Sequence, residues 1–323
     1  MTSASLRDLV HAARVRLVAA GIDANEATMD AALLARHVLG WDPARLIAHE
    51  TDPPSGEFPP AFDRLVARRA SREPISSIIG RREFRGLEFE VGPDVLAPRP
   101  ETELIIDEAL ATLEGRPTRP GVGRAFPGLS EVEDRPADRS EQPLIIDVGT
   151  GSGCLAICLA REFPAARLVA TDVSPAALAI AARNARRHGV ADRIAFVRTS
   201  LLDAVDVAAS LVVSNPPYIP TADIGRLDPE VRDWEPRQAL DGGTDGLDVI
   251  RALLSAVPAA LAPGGWLIME FGFGQAALVE RFVRESPLEL VRIVNDLQQI
   301  PRTVVARAAG SRQRITDGGR VAE

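Results

Sequence analysis

The chain has 323 residues, 46% hydrophobic and 25% charged, which suits one sizeable core plus a smaller domain and excludes a disordered or fibrous protein. Its formal net charge of −8 argues against stable direct nucleic-acid binding, because a nonspecific grip on phosphates needs many surplus cations. Apolar runs break well before the roughly 18 residues of a membrane span, and the N-terminus lacks a signal-peptide layout, so a cytoplasmic protein with no membrane partner is expected.

In chain order, Leu6, Leu9, Val10, Ala13 and Leu17 recur at spacings of three and four. Leu33, Leu34, Val38 and Leu39 repeat the pattern, and Phe62, Leu65 and Val66 begin another segment, so residues 1–82 read as a small helical bundle. Its faces carry no catalytic constellation, which leaves packing, positioning or substrate recognition. Arg68, Arg69, Arg72, Arg81, Arg82 and Arg85 form a basic cluster, either a solvated surface or a docking point for an acidic partner. Residues 83–97 alternate around Gly86 as a β-hairpin linker. Thr102 is expected to N-cap a helix whose apolar face is Ile105, Ile106, Ala109, Leu110 and Leu113. Residues 115–142, rich in Pro, Gly, Arg and Glu without periodicity, are expected to be a disordered insert entering at the inactive edge of the sheet.

Leu144-Ile145-Ile146 reads as a buried strand running through Asp147 and Val148 into Gly149-Thr150-Gly151-Ser152-Gly153 and then a helix from Cys154. Glycines let backbone approach a ligand closely, and free N–H groups at a helix start attract electron-rich atoms. The G-x-G-x-G spacing differs from that of dinucleotide enzymes and is a weak signal alone. Cys154 and Cys158 lie four apart among apolar neighbours and read as small buried hydrophobes; with four scattered histidines, no metal site is expected. The strand Leu168–Thr171 ends in Asp172, which either meets ribose hydroxyls or caps the helix Pro175 to Arg187. Leu211-Val212-Val213 then leads into Asn215-Pro216-Pro217-Tyr218, where an Asn and the only tyrosine of the chain are stiffened by two prolines. That is a device for gripping a planar NH2 group, which points to methyl transfer to nitrogen, or it is a strand-ending turn with one surface Tyr. Residues 219–246 are loop-rich and expected to fold over the substrate opening. A helix from Leu247 to Leu261, a strand from Trp266 to Phe271, a helix from Gln275 to Arg284 and a closing strand around Thr303 to Ala306 complete the pattern, and residues 311–323 are expected to be a disordered tail.

The order of glycine loop, acid and NPPY resembles the Rossmann-like S-adenosylmethionine-dependent methyltransferases. The further stretches Phe84-Arg85-Gly86-Leu87-Glu88-Phe89, Pro98-Arg99-Pro100-Glu101-Thr102-Glu103 and Ala239-Leu240-Asp241-Gly242-Gly243 resemble the HemK/PrmC family of release-factor glutamine methyltransferases. The resemblance runs from about Pro74 to Arg307 and implies an α/β methyltransferase domain over 98–310, preceded by the helical domain and the hairpin. It implies N5 methylation of the Gly-Gly-Gln glutamine in class I peptide-chain release factors, with S-adenosyl-L-methionine as cofactor. It also assigns roles. Gly149, Thr150, Gly151, Ser152 and Gly153 would bind the cofactor with Asp172, Leu201 and Asn215, while Asn215, Pro216, Pro217 and Tyr218 would hold the substrate, with catalysis by Asn215, Pro216 and Tyr218. Two departures stand out: Thr199-Ser200 where relatives often carry Gly-Asp, and Pro74-Ile75-Ser76-Ser77-Ile78 where they commonly have Gln-Tyr. Alternatives are a glutamine methyltransferase of a ribosomal protein, an adenine N6-methyltransferase of nucleic acid, or a cofactor-binding regulator without catalysis.

Overall fold

The computed structural model describes residues 4–114 and 142–309. The chain divides into two compact units, Met1–Ala97 with Asp223–Arg237, and Pro98–Ala222 with Gln238–Glu323. The expected insert, but for its last residue, and the expected tail lie outside the described residues. Among the described residues, no helix is long and apolar enough to cross a membrane.

The first unit opens with α1 (Leu6–Ala19), held by a capping box between Ser5 and Asp8, and α2 (Ala24–Leu39), capped by Asp23 and ended by Gly40 in the left-handed conformation. The shorter α3 (Pro43–Ala48), α4 (Phe58–Ala70) and α5 (Ile75–Ile79) follow. Leu6, Leu17, Leu34, Phe58, Phe62 and Val66 fill its core. Each such side chain contributes about 1.5–3 kcal/mol on leaving water. The hairpin comprises β1 (Arg81–Phe84) and β2 (Leu87–Glu90), earlier and shorter than expected, and it is part of this unit rather than a separate linker. Arg85 and Gly86 both take positive φ, 52° and 74°, the two-residue turn whose twist matches paired strands.

The second unit begins with α6 (Glu103–Glu114), β3 (Leu144–Val148) and α7 (Cys154–Glu162). Then come β4 (Arg167–Asp172), α8 (Pro175–Arg187), β5 (Ile194–Arg198) and β6 (Ala209–Ser214). After α9 (Pro229–Arg232), which lies in the first unit, the chain completes α10 (Asp248–Ala260), β7 (Leu261–Glu270), α11 (Ala276–Glu285), β8 (Leu288–Asn295) and β9 (Pro301–Ala308). The strands form one sheet in the order β5-β4-β3-β6-β7-β9-β8. All neighbours from β5 to β7 are parallel and β9 is antiparallel to both of its partners. Parallel strands covered on both faces read as near-continuous apolar runs, which is why Leu144-Ile145-Ile146 and Leu211-Val212-Val213 are legible. The order reverses between β3 and β6, where open α/β sheets bind ligands.

Two strands were not anticipated, β5 and β8, and β7 begins at Leu261 rather than Trp266. Its Gly264-Gly265 pair is no turn. It sits inside the strand at an irregularity in the pairing with β6, Gly264 has φ +76°, and a Cβ on Gly265 would lie 2.7 Å from the Ala209 carbonyl oxygen.

The stretch 219–246 is not one loop. Residues 223–237 belong to the helical unit, where Glu230 accepts from Arg69 Nη1 at 2.7 Å and from Arg72 Nη2 at 2.6 Å. Arg69, 1% exposed, also donates to Asp30 at 2.6 Å and Glu26 at 2.8 Å. Arg68 pairs with Glu73 and Arg81 with Glu88. The expected basic cluster is therefore largely neutralised by acids of its own unit, so neither a purely solvated patch nor a free docking point describes it.

Candidate active site

Val148 and Ser214 are partners at the C-terminal ends of β3 and β6, so the glycine loop and NPPY leave the sheet side by side. The Ser214 hydroxyl donates to the Val148 carbonyl at 2.8 Å and ties the two ends together.

In the glycine loop the five residues divide by role. Gly149 and Gly151 have positive φ, 74° and 54°, and a Cβ added to either would meet nothing within 4 Å. These two leave the open approach that a ligand needs. Gly153 differs, because its Cβ would lie 3.0 Å from Ala181 Cβ and 3.1 Å from Ile157 Cδ1. It permits close helix packing instead. Thr150 and Ser152 are buried: the Thr150 hydroxyl donates to Asp147 Oδ2 at 2.6 Å, and the Ser152 carbonyl accepts from Asn184 Nδ2 at 2.9 Å. Burial pushes the Asp147 carboxyl up to about 7 against the bonds from Thr150 and the Ala156 N–H. Asp147 Oδ1 is buried without a hydrogen-bond partner in the described structure, an acceptor suited to a cationic ligand group.

Asp172 is not the cap of α8. Ser174 caps it, accepting from the Ala177 N–H at 3.1 Å. The Asp172 carboxylate instead accepts from the Gly151 N–H at 3.0 Å and the Ser174 N–H at 2.9 Å, joining the glycine loop to the turn after β4. Leu201 has φ +45°, and its carbonyl accepts from the Thr171 hydroxyl at 2.9 Å. That bond holds the β5–β6 connection against the end of β4.

Around NPPY, the expected cap Thr102 lies in a 3-10 turn and does other work. Asn215 Nδ2 donates to Thr102 Oγ1 at 3.0 Å, the Thr102 hydroxyl donates to Glu270 Oε2 at 2.7 Å, and the Tyr218 hydroxyl donates to Glu270 Oε1 at 3.1 Å. Burial pushes the Glu270 carboxyl up to about 7; the bonds from Thr102 and Tyr218 and the charge of Arg302 oppose the rise, and Glu101 adds to it. Burial likewise raises Tyr218, with Glu270 adding to the rise. Behind Tyr218, Gln275 Nε2 donates to its carbonyl at 2.9 Å while Gln275 Oε1 accepts from the Gly272 N–H at 2.8 Å. A Cβ on Gly246 would lie 2.4 Å from the Tyr218 carbonyl oxygen, and one on Gly272 would lie 2.9 Å from Tyr218 Cδ2. Glu270, Gln275 and these glycines were not singled out for the site in the sequence. The available signal was a lone carboxylate ending the apolar run Trp266-Leu267-Ile268-Met269 at the ligand-binding edge.

The family model described as the PrmC N-terminal domain matches residues 8–80, and the methyltransferase small domain matches residues 133–225. A release factor glutamine methyltransferase of Cereibacter sphaeroides is 42% identical over 302 residues, covering 93% of this chain and 97% of the relative. The chain belongs to the release factor glutamine methyltransferase family. A Geobacter sulfurreducens relative with the same name is also 42% identical, over 85% of this chain and 87% of its own, and one from Rhodospirillum rubrum is 40% identical, over 91% and 83%. Family membership makes the second unit a Rossmann-like methyltransferase domain, in agreement with its sheet order and the paired loops at the reversal.

Proposed function

We propose that the protein transfers a methyl group from S-adenosyl-L-methionine to the side-chain amide nitrogen, N5, of the Gly-Gly-Gln glutamine in class I peptide-chain release factors. The observation that supports this reading is the pairing of Val148 with Ser214, by which NPPY and the glycine loop leave the sheet side by side. The names of relatives that match nearly end to end favour a release factor over a ribosomal protein or a nucleic acid. Such a substrate is met in the cytoplasm. The helical unit, which has no catalytic constellation of its own, would recognise the protein partner.

Bound S-adenosylmethionine supplies the methyl group as a sulfonium. Gly149 and Gly151 would admit its amino-acid part, Asp147 Oδ1 would face its positive charge, Asp172 would accept from ribose hydroxyls with the lone pairs left by Gly151 and Ser174, and Leu201 would flank adenine. The remaining work falls to NPPY. An amide nitrogen is a poor nucleophile because its lone pair is delocalised into the carbonyl. If Asn215 Oδ1 and the Pro216 carbonyl accept the two amide hydrogens, the nitrogen is turned for attack and its developing positive charge is stabilised, an effect of roughly 10²–10³ in rate per contact. Pro217 keeps the loop stiff and Tyr218 covers the flat amide. No proton need leave before transfer, since the nitrogen can lose one after the methyl arrives.

The test follows tritium from labelled cofactor into a release factor whose loop carries Gln and one whose loop carries Glu. Label should enter the Gln form only, and Asn215→Ala should lower kcat by roughly 10²-fold with cofactor affinity kept. Equal labelling of the Glu form, or wild-type turnover by Asn215→Ala, contradicts the mechanism.

A further inference from the structure

Asn215 can accept amide hydrogens in only one of its two side-chain orientations. Turned by half a rotation, it would present Nδ2 to the substrate NH2, donor against donor. The two ends of an Asn amide are nearly the same size, so packing alone does not choose between them. The chain of hydrogen bonds behind Asn215 does choose. Glu270 closes β7 at 1% exposure, and above about pH 7, where its raised carboxyl is ionised, the carboxylate only accepts. Thr102, 3% exposed and 2.7 Å from Glu270 Oε2, therefore gives its one hydroxyl proton to that oxygen. With that proton spent, Thr102 Oγ1 has only lone pairs for its other neighbour. The Asn215 atom 3.0 Å away must then be Nδ2, which leaves Oδ1 as the acceptor on the other limb of the amide.

We infer that Thr102 and Glu270 are positioning residues that lock Asn215 in its acceptor orientation, through a one-way hydrogen-bond chain from Asn215 Nδ2 through the Thr102 hydroxyl to the Glu270 carboxylate. This inference rests on the reading of Asn215 as the amide-gripping group. The chain acts in two ways. A reversed Asn215 would set Oδ1 against the Thr102 lone pairs with no proton between them, so the wrong orientation loses its anchor. Successive donations toward a carboxylate also polarise one another and enrich Asn215 Oδ1 in electron density, where positive charge develops on the substrate nitrogen. Tyr218 donates to the other Glu270 oxygen, so one carboxylate orients both the gripping Asn and the ring that covers the amide.

The decisive comparison is Thr102→Val, which keeps the branched shape and removes the hydroxyl, with Thr102→Ser, which keeps the hydroxyl and removes a methyl. On a Gln-bearing release factor, Thr102→Val should lower kcat by about 10- to 100-fold with KM and cofactor affinity close to wild type, and Thr102→Ser should stay within a few fold. In the free enzyme, hydrogen exchange of the Asn215 side-chain NH2 should be slow in wild type and Thr102→Ser and faster in Thr102→Val. Wild-type kcat in Thr102→Val, equal losses in both variants, a loss confined to KM or cofactor affinity, or unchanged exchange overturns the inference. If the wild-type enzyme fails to label any release factor, the functional reading fails, and the exchange measurement still decides the orientation.

Discussion

Asp172 holds the turn after β4 to the glycine loop through bonds from the Ser174 and Gly151 N–H groups, at 2.9 and 3.0 Å. Asp172→Ala removes both acceptors, and with them the lone pairs proposed to receive ribose hydroxyls. A hydrogen bond to a charged group contributes about 1.5–3 kcal/mol, and the loop bonds can be replaced in part by water because the carboxylate is half-buried. Loss of one such ligand contact alone corresponds to a roughly 10- to 100-fold rise in the dissociation constant for S-adenosylmethionine. Asp172→Asn separates the two jobs: it keeps one acceptor oxygen for the loop but sets an NH2 where a charged acceptor was, so it should recover thermal stability more than affinity. Isothermal titration calorimetry measures the affinities and a thermal melt the stability. An unchanged dissociation constant in Asp172→Ala would refute the ribose role and leave Asp172 a loop clasp only.

Three further outcomes are expected. Arg69→Met should destabilise the helical unit by about 3 kcal/mol in urea titration, because Asp30, with its carboxyl already raised by burial, loses its cation; adding Asp30→Leu should recover much of the loss, and no recovery would contradict the orphaned-charge account. Gly153→Ala should lower stability by about 2–3 kcal/mol, since φ is +84° and the new Cβ meets Ala181 at 3.0 Å; a neutral substitution would show that α7 and α8 can part there. Glu270 contributes to pH dependence with a definite sign. Burial raises its folded-state carboxyl to about 7 from the ordinary 4.5, so the folded state binds the extra proton and stability falls as pH climbs from about 4.5 through 7. Glu270→Gln should flatten that fall in denaturant midpoints taken across the range, and an undiminished slope would assign it to other groups such as Asp147.

Much of this architecture was legible because it is written in local signals. Continuous apolar runs betray parallel strands, and a strand followed by closely spaced glycines or by Asn-Pro marks where the sheet ends and a ligand edge begins. The helix Pro175–Arg187 could be bounded to the residue from Pro at its start and the amphipathic spacing of Ala177, Ile180, Ala181 and Ala185. Edge strands were less visible: Leu288–Asn295 alternates only in part and Ile194–Arg198 is short, so neither carries the continuous apolar run of the central strands. What local pattern cannot contain is pairing at long range. Thr102 has the residue type of a helix cap, and only the meeting of segments 113 and 168 residues apart in sequence makes it a link between Asn215 and Glu270. Arg69 looks like surface charge until Glu230 returns from 161 residues downstream to cover it. The family resemblance reached the NPPY and glycine motifs but carried no information on which way an amide is turned.

The central claim is a methyl group on a glutamine amide nitrogen. Tandem mass spectrometry of the Gly-Gly-Gln peptide, taken from class I release factors of cells with and without this protein, tests it most directly. The expected result is a single added methyl whose fragment ions place it on the Gln side chain, present with the protein, absent without it and restored by wild type but not by Asn215→Ala. An unmodified glutamine in both cells, or a methyl that persists when the protein is absent, would contradict the account.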